Sequence, residues 1–226
     1  MDAFAFPPPP QAAVPIVDEA ALFPVRRILC VGRNYAAHRR EMGGDDAEPP
    51  FFFAKPADAV VPPGGEVPYP PGTALLHHEI ELVIALGQGG ADVSPEAALE
   101  LVLGYAVGVD MTRRDLQHAY REKGQPWEGA KAFDASAPIS AIRRWRGPAP
   151  SARIWLSVNG AARQDAVTDD MIWDVPHIIA AASRLWRLAP GDLIFTGTPQ
   201  GVGPLVRGDL VEAGVEGVGT VAFRVV

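Results

Sequence analysis

The chain has 226 residues, with 27 Asp and Glu against 20 Lys and Arg and a formal net charge of −7. That length suits one domain with a sizeable core, and the acidic balance argues against nucleic acid, whose binding needs a basic face. The single cysteine, Cys30, cannot form an intramolecular disulfide, no basic and apolar leader opens the sequence, and no run approaches the roughly 18 apolar residues of a membrane span. The expected setting is the cytoplasm, without membrane contact.

Residues 1–25 contain a four-proline run, Pro7 to Pro10, and read as an extended arm outside the core that forms no ladder, leaving 26–226 as the domain. "RRILCVG" from Arg26 reads as a buried strand, and "RNYAAHRREMGG" as a short helix closed by Gly43 and Gly44. "PPFFFAKP" and "VVPPGGEVPYPPG" are strand fragments between turns, followed by a strand from Leu75 to Leu86. Ser94 as cap, Pro95 at the first helical position and Gly104 as stop predict a helix of about ten residues. "YAVGVD" is a strand ending at Asp110, and Thr112 and Asp115 have capping-box spacing for a helix running to Gly124. A further helix starts at Asp174 and Pro176 and runs to about Leu188 before the strand "LIFTGTP"; "WLSVNGAAR" and the last residues are short strands between glycine turns. Strands outnumber helices, so the expected class is α+β, a mixed β structure with peripheral helices.

Glu79 and Glu81 interrupt an apolar strand two residues apart, which puts both carboxylates on one face with Ile80, Leu82 and Ile84 on the other. Asp110, at the end of a strand, supplies a third oxygen donor. Such a set suits a hard divalent cation, Mg²⁺ first, with Mn²⁺ or Ca²⁺ as alternatives and zinc less suited. His77 shares the parity of the pair and is ranked as a neighbour of the site rather than a ligand. The competing reading is an edge strand whose glutamates are solvated charges.

Six blocks occur together and in order: "CVGRNYAAHRREMG", "FFFAKPADAVVPPG", "HHEIELVIAL", "GYAVGVDMTRRDLQ", "GAKAFDASAPI" and "IFTGTPQGVGP". Over about residues 26–226 the chain resembles the fumarylacetoacetate hydrolase family, in its small acylpyruvase and fumarylpyruvate hydrolase branch. The resemblance implies a mixed β-sheet roll or sandwich of that family's C-terminal-domain type. It also implies Mg²⁺ held by Glu79, Glu81 and Asp110, and a tendency to form homodimers.

His38 and Glu41 stand at i and i+3, where a carboxylate can orient an imidazole, although an incidental ion pair on a surface helix has the same spacing. The resemblance implies a water-activating dyad on a segment that orders over the site, with Gly43 and Gly44 as hinge. Lys131, against the alternative of an exposed lysine, is the expected stabiliser of an enolate. Arg114 and Gln117, which an amphipathic helix also explains, are expected at the substrate with Arg33 and Thr198. The turn holding Thr198 is neither a P-loop nor a dinucleotide fingerprint. Trp127, Trp155, Trp173 and Trp186 read as core or interface residues.

The implied reaction is hydrolysis of the carbon–carbon bond of a 2,4-dioxo acid. Arg33, Arg39 and Arg40 favour a dicarboxylate, fumarylpyruvate first, cleaved to fumarate and pyruvate as in gentisate degradation. The alternatives are oxaloacetate decarboxylation on the same metal site, or a catalytically silent metal-binding homologue.

Overall fold

The structure is a computed structural model, and residues 4–35 and 49–226 are described. Its centre is a six-stranded sheet in the order Arg143–Arg144, Val102–Val109, Ile80–Leu86, Asp192–Phe195, Arg27–Gly32, Phe51–Lys55. Neighbours are antiparallel except for Asp192–Phe195 and Arg27–Gly32, which run parallel. A four-stranded antiparallel sheet, Ala161–Val167, Arg153–Val158, Leu210–Val215 and Gly219–Arg224, packs over one face. Gly203–Leu205, Leu76–His78 and Thr112–Arg113 form a smaller antiparallel sheet. The architecture is mostly β with peripheral helices, as the sequence pattern predicts.

Apolar side chains on both faces of the central sheet explain why Ile80–Leu86 is buried at every position. Leu82, Ile84 and Val107 meet Ile154, Leu156 and Val211 of the second sheet and Ile178 and Ile179 of the helix Val175–Leu185. Val83, Ala85 and Ala106 pack the other way, with Cys30, Val14 and Phe23. The glutamate-bearing strand is therefore central, and the edge-strand alternative fails. Among the described residues, no helix is long and apolar enough to cross a membrane.

Three local expectations are corrected. Residues 13–25 are not a bare arm: Ala13–Pro15 pairs with Leu22–Pro24, and Val14, Ile16, Phe23 and Val25 are buried. Both prolines, Pro15 and Pro24, stand at the last residue of their strands, where a missing amide is tolerated. The helix after Ser94 spans only Pro95–Ala98 plus one 3-10 turn, Leu99–Leu101, because Val102 onward is claimed by the sheet. Gly104 lies inside that strand, where a Cβ would collide with the Arg143 carbonyl.

The capping box also fails. The helix is Arg114–Glu122, its cap position is Arg113, and Asp115 instead binds Thr73 Oγ1 at 2.5 Å and the Ala74 amide at 3.0 Å. A neighbouring loop has outcompeted the helix's own terminus for that carboxylate. The later helix begins as expected, with Asp174 accepting from the His177 amide at 3.0 Å.

Candidate active site

Glu79 sits at the break between Leu76–His78 and Ile80–Leu86, and its carbonyl accepts from the Asp110 amide at 2.8 Å. Because Ile80 pairs with Val109, Asp110 falls beside Glu79 just beyond the end of the ladder. Glu81, two residues on, projects to the same side. Ligand oxygens of Glu79, Glu81 and Asp110 all lie within 4.8 Å of one another, and all three residues are buried.

Lys131, at the end of the short helix Glu128–Lys131, is buried among them. Its Nζ lies 2.8 Å from Glu79 Oε2, 2.5 Å from Asp110 Oδ2 and 2.7 Å from Thr112 Oγ1. Burial alone would lower its pKa, but Asp110 and Glu79 outweigh it and hold the ammonium above its ordinary value. Arg114 donates to Glu79 through Nη2 and to Gln117 through Nη1, so the i, i+3 pair acts as one unit. His77 is not among the clustered oxygens. It accepts from Arg114 Nε at 3.4 Å, and burial, then Arg114, pushes its pKa down to about 4, so it is neutral at pH 7.

Glu81 differs from its neighbours. Its Oε2 accepts from the Gly197 amide at 2.7 Å, and among the described residues no cationic nitrogen makes an ion pair with it. Burial first, then the charges of Asp110 and Glu79, raises its pKa well above 4.5. Burial and the two like charges disfavour its ionisation, and a cation at the cluster would favour it.

All the donors are oxygens, which suits a hard divalent ion. Asp110 Oδ1 forms a buried ion pair with Lys55 Nζ at 2.8 Å, and the same ammonium also donates to the carbonyls of Met111 and Lys131.

A small cleft gathers Glu79, Glu81, Asp110, Lys131, Arg114 and Gln117 with Arg33 and Thr198. Val31, Gly32, Phe53 and Trp127 complete its wall, with Phe51 packed against Trp127. Phe51 and Trp127 meet edge to face with ring centres 5.1 Å apart, and the Arg33 guanidinium lies 5.8 Å and 5.9 Å from those rings. Phe53 packs its ring 5.0 Å from Lys131 Nζ. His38 and Glu41, with Arg39, Arg40, Gly43 and Gly44, lie outside the described residues.

Sequence reasoning gave no role to Lys55 and set Trp127 among core or interface residues. A lysine ending the apolar run "FFFAK" is the same signal that singled out Lys131. Trp127 had no periodic signal, because it precedes a helix of four residues.

The sequence pattern of the fumarylacetoacetate (FAA) hydrolase C-terminal family matches residues 27–226. The chain belongs to the fumarylacetoacetate hydrolase family. Among solved structures of the family, fumarylpyruvate hydrolase from Pseudomonas aeruginosa, in complex with Mn²⁺ and pyruvate, superposes with a TM-score of 0.96 at 51% identity, covering 99% of each chain. The mitochondrial oxaloacetate tautomerase FAHD1 of Mus musculus is 45% identical over 202 residues, covering 88% of this chain and 91% of its own. Its Arabidopsis thaliana counterpart is 42% identical over 202 residues, covering 88% and 90%. Family membership thus spans more than one reaction on oxo acids.

Proposed function

We propose that the chain hydrolyses the carbon–carbon bond of a 2,4-dioxo acid, an acylpyruvate, with fumarylpyruvate the first choice of substrate. The observation that carries this reading is a cavity holding three clustered buried carboxylates together with Lys131, Arg114 and Thr198. A divalent cation held by Glu79, Glu81 and Asp110, Mg²⁺ first with Mn²⁺ or Ca²⁺ as alternatives, would supply chelation of the 2-oxo acid end and polarisation of its ketone.

The chain's own residues account for the rest. Thr198 and the Arg114–Gln117 pair bind the carboxylate end, and the aromatic wall seats the acyl group with Arg33 as partner for a distal carboxylate. His38, oriented by Glu41, takes a proton from water as its oxygen adds to the C4 carbonyl. The C3–C4 bond then breaks and its electron pair passes into the enolate of pyruvate. Lys131 stabilises that negative charge until C3 is protonated, giving pyruvate and a carboxylic acid.

With fumarylpyruvate the products are fumarate and pyruvate, the step expected in gentisate catabolism, carried out by a cytoplasmic homodimer. Incubating the purified protein and Mg²⁺ with a panel of acylpyruvates, and coupling pyruvate release to lactate dehydrogenase, tests the reading. Turnover with an acylpyruvate, abolished by EDTA and restored by Mg²⁺ or Mn²⁺, supports it; no pyruvate from any member of the panel refutes it.

Chemistry on oxaloacetate is the second reading, favoured by the identity to oxaloacetate tautomerases. Enolisation and decarboxylation of oxaloacetate pass through enolates that the same cavity would stabilise without an attacking water. Steady-state kcat/KM for oxaloacetate against fumarylpyruvate decides between them.

A further inference from the structure

The strand Ala161–Val167 is exposed or half-exposed at every position except one, Gln164. A bulge explains the exception. Leu156 pairs with Gln164 and Ser157 with Ala162, so Arg163 is the extra residue and the Gln164 side chain turns inward beside it.

Once inside, the amide is fully bonded. Its Nε2 donates to Thr198 Oγ1 and to the Pro199 carbonyl, both at 2.9 Å. Its Oε1 faces the Ile80 amide at 3.1 Å and His78 Nδ1 at 3.0 Å. Two donors and two lone pairs are all used.

Two of those partners fix which end is which. A proline carbonyl can only accept and a backbone amide can only donate, so the amide cannot be flipped. Two consequences follow. His78 must carry its proton on Nδ1. Thr198 Oγ1 must accept from Gln164, which leaves the hydroxyl proton for some other partner. Among the described residues no acceptor takes that proton, and Thr198 lines the cleft that holds Lys131 and the three carboxylates.

We propose that Gln164 is a positioning residue that holds the Thr198 hydroxyl as a hydrogen-bond donor to the carboxylate of a bound 2-oxo acid. The proposal rests on the reading that the cleft binds such an acid. A serine or threonine hydroxyl rotates freely in water and can donate or accept; here its direction is set before the ligand arrives. Gln164 does this from a different sheet, with its other end on the Ile80 amide between Glu79 and Glu81, so one side chain ties the anion donor to the carboxylate strand.

The test uses pyruvate binding to the Mn²⁺-loaded protein by calorimetry, alongside KM for fumarylpyruvate and oxaloacetate. Gln164→Glu keeps an acceptor toward Ile80 and His78 but places a second oxygen against Thr198, which must then donate to it and turn its proton from the cleft. Pyruvate affinity should fall about tenfold, the loss typical of one hydrogen bond to a charged group, and KM should rise with it.

Thr198→Val should lose a similar factor, and adding Gln164→Glu to it should cost nothing more. Losses that multiply in the double variant, or wild-type affinity in Gln164→Glu, would overturn the proposal. If Gln164→Glu does not fold, the wild type still decides: long-range ¹H–¹⁵N spectra of ¹⁵N-histidine-labelled protein should show His78 as the Nδ1–H tautomer, and the Nε2–H tautomer would refute the assigned orientation. A wild-type protein that binds no pyruvate and turns over neither substrate overturns the functional reading itself, and this proposal with it.

Discussion

Glu79 and Asp110 share the Lys131 ammonium, whereas among the described residues Glu81 is hydrogen-bonded by the Gly197 amide alone. Its raised pKa has a definite sign in stability. In the unfolded chain the carboxyl ionises near its ordinary 4.5, while in the cation-free folded protein it keeps its proton to much higher pH. Folded stability from this group is therefore intact below that ordinary value and declines as pH climbs toward the raised one. Thermal unfolding in EDTA should show Glu81→Gln more stable than wild type near pH 8, with the gap closing toward pH 4. A gap that does not change with pH would mean that Glu81 is ionised without a cation. The neighbouring residues separate two kinds of chemistry. Lys131→Met should impair both acylpyruvate cleavage and oxaloacetate decarboxylation, because each develops an enolate, whereas His38→Ala should cut hydrolysis by roughly 10²- to 10⁴-fold and spare decarboxylation. Equal losses of both activities in a folded His38→Ala protein would deny it the role of water activator. Glu79, Glu81, Asp110 and Lys131 drew notice as charges set in apolar sequence, but the pattern alone left solvated surface charges open, and the family resemblance was what gathered them into one expected site. Gln164 drew no notice, since a neutral amide in a polar strand looks like surface until a bulge turns it inward.

At the scale of elements, the long central strands were read from apolar runs, because alternation and turn glycines are local signals, but the N-terminal hairpin was missed and the strand expected from Leu75 to Leu86 is two, Leu76–His78 and Ile80–Leu86, in different sheets. The failures came where a distant segment took over. Asp115 serves a loop more than forty residues earlier in the chain, and the helix after Ser94 stops where its chain joins a sheet. The turn after Asp192–Phe195 shows what such long-range fitting demands. Gly197 has φ 97°, and a Cβ there would stand 2.7 Å from Asn34 Cβ, while its amide holds Glu81. Gly197→Ala should destabilise the protein by roughly 1–3 kcal/mol and weaken Mn²⁺ binding as the amide leaves Glu81. Gly64, with φ 84° and open space around it, is the control: Gly64→Ala should carry the backbone strain alone and leave Mn²⁺ affinity untouched. Urea denaturation and Mn²⁺ titration calorimetry of the two variants make the comparison. Equal Mn²⁺ affinities would detach the turn from the site.

Across the whole molecule, the central sheet is covered on both faces, and the N-terminal hairpin supplies part of one cover. Phe23 is buried there, so Phe23→Ala should cost about 3–5 kcal/mol, the range for emptying an aromatic core position. A loss below about 1 kcal/mol in chemical denaturation would return the hairpin to the status of an arm. The composition of the first 25 residues hid this contribution, because Pro7 to Pro10 precede the hairpin and Pro15 and Pro24 stand at strand ends rather than across a ladder. Strand order has another consequence, for biosynthesis. The carboxylate strand Ile80–Leu86 is flanked by Val102–Val109 on one side and on the other by Asp192–Phe195, which also separates it from Arg27–Gly32. A ribosome that has released the chain only a little beyond Asp110 has supplied all three carboxylates but neither that separating strand nor the Gly197 amide. The candidate cation site is thus completed only once Gly197 has emerged, so any loading with metal is expected to follow synthesis of that turn rather than precede it.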